Sequence, residues 1–259
     1  MSRLGRPRLH LRSIGSTNAR ARELAEAGAP HGTAVTAGQQ TAGRGRQGRG
    51  WSTPPGSALA VSLVIRDPDP LLSLRAGLAV ADLAGTGARV KWPNDVLLDG
   101  RKVAGVLVEG RKLAGVLIEA RPRDGWAVIG IGLNLTITPA EFPEELRDTA
   151  TSVFPDPQPA IPTGSAVPFV GIADLKNSGA AAAGAARVLS ERLGVWVEAG
   201  PEEVLAAWRQ RDALRGREVA WENGAGVAEG VDERGYLLVR LADGDRIALG
   251  AGEVHLTRA

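Results

Sequence analysis

Gly43-Arg44-Gly45-Arg46-Gln47-Gly48-Arg49-Gly50-Trp51 sets three guanidinium groups and four glycines into nine residues and closes on an indole. No apolar core accommodates such a segment. Each arginine carries a planar fork of donors that matches the paired oxygens of a carboxylate or phosphate. Glycine lets the backbone reach φ > 0 and approach a ligand, and successive N–H groups in such a turn form an anion-binding nest. Two readings stay open at this point, a clamp for an anion and a solvated surface loop. A P-loop does not fit, because no Lys-Ser or Lys-Thr follows the glycines. Gly43-x-Gly45-x-x-Gly48 satisfies a bare dinucleotide pattern, but its charge does not suit a strand-to-helix turn. An RGG-like contact to nucleic acid is a third reading.

The rest of the chain constrains these readings. Formal net charge is +2 over 259 residues, so the basic groups act locally. A dedicated nucleic-acid binder carries a strong basic excess on one face. With no cysteine, the chain has no disulfide, thiolate metal site or cysteine nucleophile. Residues 1–12 are basic but lack the apolar stretch of a signal peptide, and no run approaches the ~18 apolar residues of a membrane span. The expectation is a cytoplasmic protein that does not engage the membrane.

Outward from the Arg/Gly segment, Ser16-Thr17-Asn18 reads as the cap of a helix over 19–27 that stops at Gly28. Strands are expected at 33–38 and 58–65, and a helix at 70–83 ended by Gly85 and Gly87. Further strands follow at 89–92, 95–98 and 126–135, with apolar runs between. The last carries Gly130 and Gly132, and glycine inside a strand marks a bulge or a close approach of backbone to ligand. Pro155, Pro157, Pro159, Pro162 and Pro168 predict a long surface loop over 154–179. Helices are expected at 178–193 and 201–214, with Pro201 in a first-turn position. After Arg215-Gly216, short strands alternate with the turns Asn223-Gly224, Arg234-Gly235 and Asp243-Gly244, the pattern of a small β-barrel. The domain division expected is therefore 1–214 and 215–259.

One repeat stands out. Residues 101–110 (RKVAGVLVEG) are followed at once by a near-copy, 111–120 (RKLAGVLIEA). Ten is an even number, so a strand lengthened by it keeps every side chain on its original face. Lys102 and Lys112 become candidates for one role.

Four separated pieces now line up: Ser16-Thr17-Asn18; Gln40 with the Gly43–Trp51 segment; Lys91-Trp92-Pro93-Asn94-Asp95; and Gly130-Ile131-Gly132-Leu133-Asn134. Together, in this order, they resemble the biotin–protein ligases (biotin–acetyl-CoA-carboxylase ligases), across roughly residues 8–214, and the resemblance extends to the small C-terminal barrel. The resemblance implies an α/β (α+β) fold, a mixed-sheet catalytic domain of the biotin/lipoate ligase type with an SH3-like barrel. It implies that biotin and MgATP give biotinyl-5′-AMP and pyrophosphate, and that biotin then passes to a lysine of a biotin carboxyl carrier protein.

The resemblance also implies site residues. Ser16 and Thr17 bond the ureido group of biotin, with Asn18 beside them, although a plain helix cap is an equally physical role. Gln40, Arg44, Gly45, Arg46 and Gly115 complete the biotin contacts. Arg44 and Arg46 supply charge for the adenylate under a segment that is mobile when empty and closes over it. Trp51, Asn94 and Asn134 face the nucleotide, and Asp95 lies near the phosphates and Mg²⁺. A structural Lys91–Asp95 pairing is the alternative for that motif, and Trp92 reads as core. The catalytic lysine is Lys102 or Lys112. Lys102 lies at the family's spacing from Asp95, Lys112 at its spacing from Gly130, and the Asp99-Gly100 turn favours Lys102. About fifteen residues before Ser16 leave no room for the helix-turn-helix of bifunctional members, so no DNA partner is expected. Homodimerisation through a sheet edge is left open. A lipoate–protein ligase and a nucleic-acid-binding protein are the competing readings.

Overall fold

In this computed structural model the described residues are 4–110, 125–155, 178–250, 252 and 254–256. Lys112, Gly115 and most of the proline-rich 154–179 stretch lie outside them. The elements run β1 (Arg8–Leu11), α1 (Thr17–Glu26), β2 (Ala34–Ala37), β3 (Gly43–Arg44), β4 (Gly50–Trp51), β5 (Ala58–Arg66), α2 (Leu72–Ala84), β6 (Arg89–Lys91), β7 (Asp95–Leu98), β8 (Arg101–Gly110), β9 (Trp126–Asn134), α3 (Ser178–Glu198), α4 (Pro201–Arg211), then β10 (Glu218–Trp221), β11 (Gly224–Val231), β12 (Leu237–Arg240), β13 (Arg246–Leu249) and β14 (His255–Leu256). Seven strands form one mixed sheet in the order β1-β2-β5-β9-β8-β7-β6. Only β1 and β2 pair in parallel.

Alternation along β5 and β9 splits the sheet into two unlike faces. Leu59, Val61, Leu63 and Ile65 meet Ile129, Ile131 and Leu133 in the main core, against α2 and α3. The other face carries Val64, Trp126 and Val128, and α1 covers it with Ala21 and Ala25. Further along that same face the side chains shrink. Ala37, Ala60, Gly132 and Gly105 lie in register across β2, β5, β9 and β8, and the row ends at Asp95 on β7. This strip of alanine and glycine, with the N-terminus of α1 at its side, makes a shallow trough whose floor is covered at Gly132 by the Trp51 indole.

Arg75 on α2, almost wholly buried, holds the α-helical layer together. Its guanidinium donates to the carbonyls of Trp196 and Ala199 at the end of α3, the latter at 2.7 Å, and pairs with Asp69 at 2.7 Å. The last carbonyls of a helix lack partners within it, and a cation there is favoured by the helix dipole. Arg75→Ala is expected to destabilise the fold by about 3 kcal/mol, measured by denaturant unfolding, because it strands buried carbonyls and an acidic partner.

The five C-terminal strands form a separate antiparallel sheet, β13-β12-β11-β10-β14. Val219, Ala228, Val231, Leu237 and Val239 from it join the same apolar core as α2. Trp92, expected as core, is buried, and its indole N–H donates to the Gly235 carbonyl at 3.0 Å. The sheet is therefore seated on the larger unit. Among the described residues, no helix is long and apolar enough to cross a membrane.

Candidate active site

Ser16 caps α1, accepting from the Ala19 N–H at 3.4 Å. Thr17 and Asn18 start the helix, and both are buried. Beyond Arg12 the parallel pairing of β1 with β2 continues irregularly: Thr41 N–H donates to the Ile14 carbonyl and Ala42 N–H to that of Gly15. This brings Gln40 to the helix start. Gln40 Oε1 accepts from the Thr17 N–H at 2.7 Å and its hydroxyl at 2.9 Å. Ser62 on β5, fully buried, lies 2.9 Å from Thr17 Oγ1 and 2.5 Å from Asn18 Oδ1. Asn18 Nδ2 donates to Glu109 at 2.7 Å, and Glu109 pairs with Arg22 at 2.9 Å.

This polar cluster rests on Gly130. A Cβ there would lie 2.6 Å from Asn18 Cγ, so only glycine admits the Asn18 amide. Gly132 plays the same part for Trp51, whose indole ring would sit 2.6 Å from an added Cβ. Trp51 Nε1 is buried without a hydrogen-bond partner among the described residues. The two strand glycines thus mark a close approach, as expected, but of side chains from the same molecule.

The Arg/Gly segment is a short hairpin and not an irregular loop. Gly43 pairs with Trp51 and Arg44 with Gly50, and a 3₁₀ turn over Arg46–Gly48 joins them. Gly45 donates to the Arg49 carbonyl at 2.7 Å and closes the turn. Arg44 is exposed, with no side-chain hydrogen bond or ion pair among the described residues. Arg46 reaches across the trough end. Its Nη1 donates to Asn94 Oδ1 and its Nη2 to the Gly252 carbonyl, each at 3.1 Å. That second contact brings the segment between β13 and β14 to the site, which nothing in the sequence signalled.

Lys102 and Asp95 close the far end, with Nζ 2.6 Å from Oδ1. Lys91 and Asp95 are register partners across β6 and β7, while the ion pair of Asp95 is with Lys102. The cause is a β-bulge. Register between β7 and β8 shifts at Val96/Leu97, leaving Val103 and Ala104 both in the core. Strict alternation would turn Lys102 into that core, and the extra residue turns it to the trough face over Gly105. Its backbone is anchored by Thr149 and Thr151, at 2.7 and 2.8 Å.

Asn134 has a structural partner in the fold. It is buried, and its amide donates to the Thr151 carbonyl at 2.9 Å, holding the segment that anchors Lys102. Sequence reasoning passed over Ser62 and Glu109. The signal for Ser62 was a lone hydroxyl in the apolar run 58–65; Glu109, a charge among valines in the repeat, gave a weaker one.

A trough with hydrogen-bonding groups at one end and cations at the other agrees with the comparisons to known proteins. The model of the Biotin/lipoate A/B protein ligase family matches residues 11–135, and that of the Biotin protein ligase C terminal domain matches 222–256. The chain is 34% identical over 264 residues to the biotin–[acetyl-CoA-carboxylase] ligase of Mycobacterium tuberculosis, covering 93% of this chain and 86% of that one. To the bifunctional ligase/repressor BirA of Bacillus subtilis it is 40% identical over 149 residues, 54% of this chain and 44% of the relative, so the match spans less than half of that protein. The structure of Aquifex aeolicus biotin protein ligase in complex with biotin and ATP superposes with a TM-score of 0.70 at 27% identity, covering 98% of this chain and 100% of that one. The chain belongs to the biotin protein ligase family.

Proposed function

We propose that this chain activates biotin with ATP and transfers it to a lysine of a biotin carboxyl carrier protein. The observation that supports the reading best is the single trough. It has Thr17, Gln40 and Ser62 at one end, a small-residue floor, and Lys102, Arg46 and Asn94 at the other. A ligand with a polar head and a carboxylate tail fits that polarity. In the first step a biotin carboxylate oxygen bonds to the α-phosphorus of ATP, and the bond to pyrophosphate breaks. In the second, a carrier lysine amine attacks the acyl carbon and AMP leaves. Lys102 and the hairpin arginines stabilise the negative charge that gathers on the phosphate. Trp51 and the hairpin shield the mixed anhydride from water.

Magnesium is expected with the nucleotide. Among the described residues no three His, Asp or Glu gather into a metal cluster. Asp95 already has Oδ1 on Lys102. These residues build no cage, so the ion would arrive on the phosphates, with Asp95 at most one ligand. We assign ligand binding to residues 1–214 and an SH3-like appended unit to 215–259, a division supported by the new sheet starting at Glu218. The reaction is placed in the cytoplasm. No observation favours the lipoate or nucleic-acid reading.

Transfer is tested by incubating the protein with ATP, biotin and a biotin carboxyl carrier domain, and scoring the acceptor by streptavidin shift. ATP-dependent labelling of one lysine is the expected result, and an unlabelled acceptor contradicts the proposal. Arg44, exposed and unpaired among the described residues, is free to meet a ligand. Arg44→Ala is expected to leave the melting temperature unchanged while biotinyl-5′-AMP dissociates about tenfold faster or more, through loss of a charge-assisted bond.

A further inference from the structure

Glu109 sits outside the trough and touches no expected ligand, yet it decides how the hydrogen bonds inside the trough point. An ionised carboxylate only accepts, so the Asn18 group facing Glu109 at 2.7 Å must be its NH₂. Arg22 pairs with that carboxylate at 2.9 Å and holds it in place. The Asn18 oxygen then faces Ser62 at 2.5 Å, and it can only accept. The single Ser62 proton is thereby committed to Asn18. Ser62 cannot also donate to Thr17, 2.9 Å away on its other side. Thr17 Oγ1 spends its own proton within the cluster, on Gln40 or Ser62. Its lone pairs are left to accept from a ligand.

The geometry points to Glu109 as a positioning residue that, with Arg22, makes Thr17 a hydrogen-bond acceptor toward an N–H-bearing substrate head. The proposal rests on the biotin reading, whose ureido group is such a head. Reversal of the Asn18 amide would free the Ser62 proton for Thr17 and turn the site toward a hydrogen-bond-accepting head. The first copy of the tandem repeat therefore supplies two elements to one site, Lys102 at the phosphate end and Glu109, seven residues on, at the other. The second copy repeats the pair in sequence as Lys112 and Glu119.

The test is a carboxylate–amide exchange. Glu109→Gln keeps size and removes the acceptor-only constraint. It is expected to raise the biotin KM about tenfold and change kcat less than about twofold. Asn18→Asp alone puts two carboxylates together and is expected to lower the melting temperature and abolish saturation by biotin. The double variant, Asn18→Asp with Glu109→Gln, restores an acceptor-only group facing Ser62. It is expected to return the biotin KM to within about threefold of the unmodified protein. An unchanged KM in Glu109→Gln, or a folded double variant without recovery, overturns the proposal. The melting temperatures of the four proteins without biotin report the Asn18–Glu109 pairing whether or not biotin is the substrate. Absence of biotin turnover in the unmodified protein would count against the function alone, and absence of thermal recovery in the double variant against the pairing itself.

Discussion

Lys102→Ala is expected to slow adenylate formation by about 10²–10³-fold, the effect of deleting one preset cation from a charge-developing transition state. The loss of stability should be far smaller. The Lys102–Asp95 pair is partly exposed, at 40% and 20% of the two side chains, and such pairs contribute at most about 1 kcal/mol. Lys112→Ala should keep the rate within about threefold of the unmodified protein. The contrast rests on the bulge at Val103, which points Lys102 into the trough and ties its backbone to Thr149 and Thr151. Pre-steady-state measurement of pyrophosphate release in both variants decides it. A reversed pattern would show that the second copy of the repeat supplies the catalytic lysine.

Gly130→Ala is expected to abolish measurable biotin binding and to lower stability by about 2–4 kcal/mol. The added methyl would lie 2.6 Å from Asn18 Cγ. Asn18 cannot swing away, because Ser62 holds one end of its amide and Glu109 the other. Moving it would break a buried network, in which each unsatisfied group carries its full desolvation penalty. Gly200→Ala is the control, with φ −65 and nothing within 4 Å of the new Cβ. It should leave both binding and stability nearly unchanged. Calorimetric titration with biotin and urea unfolding of the two variants make the comparison. Normal biotin affinity in Gly130→Ala would remove Asn18 and its neighbours from the ligand site.

Much of this arrangement is legible in the sequence, and the reasons differ by residue. Ser16 announces a helix start because its hydroxyl is the right length to take a free N–H of the first turn. The strands over 58–65 and 126–135 follow from β-branched apolar runs, and the glycines in the second mark where something comes close. The turn at Asp99-Gly100 has φ of +50 and +77, the geometry its sequence favours. What stayed hidden depends on contacts between distant segments. β1 is a four-residue edge strand with a weak pattern, legible only beside β2. The bulge that re-aims Lys102 has no composition of its own. Arg46 meets Gly252 across 206 positions, a separation no local pattern encodes. Asn134 shows the converse limit. Its place in a motif implies a ligand, and the motif says nothing of the Thr151 carbonyl its buried amide also holds.

The central claim is that the trough joins biotin to ATP, and pyrophosphate release without any acceptor protein tests it most directly. The purified chain is mixed with MgATP, and pyrophosphate is followed with and without biotin. The account predicts a burst that requires biotin, equals about one turnover per active site because the adenylate is retained, and is lost in Lys102→Ala. Release that is the same with and without biotin, or no release from a folded protein saturated with both substrates, would contradict it.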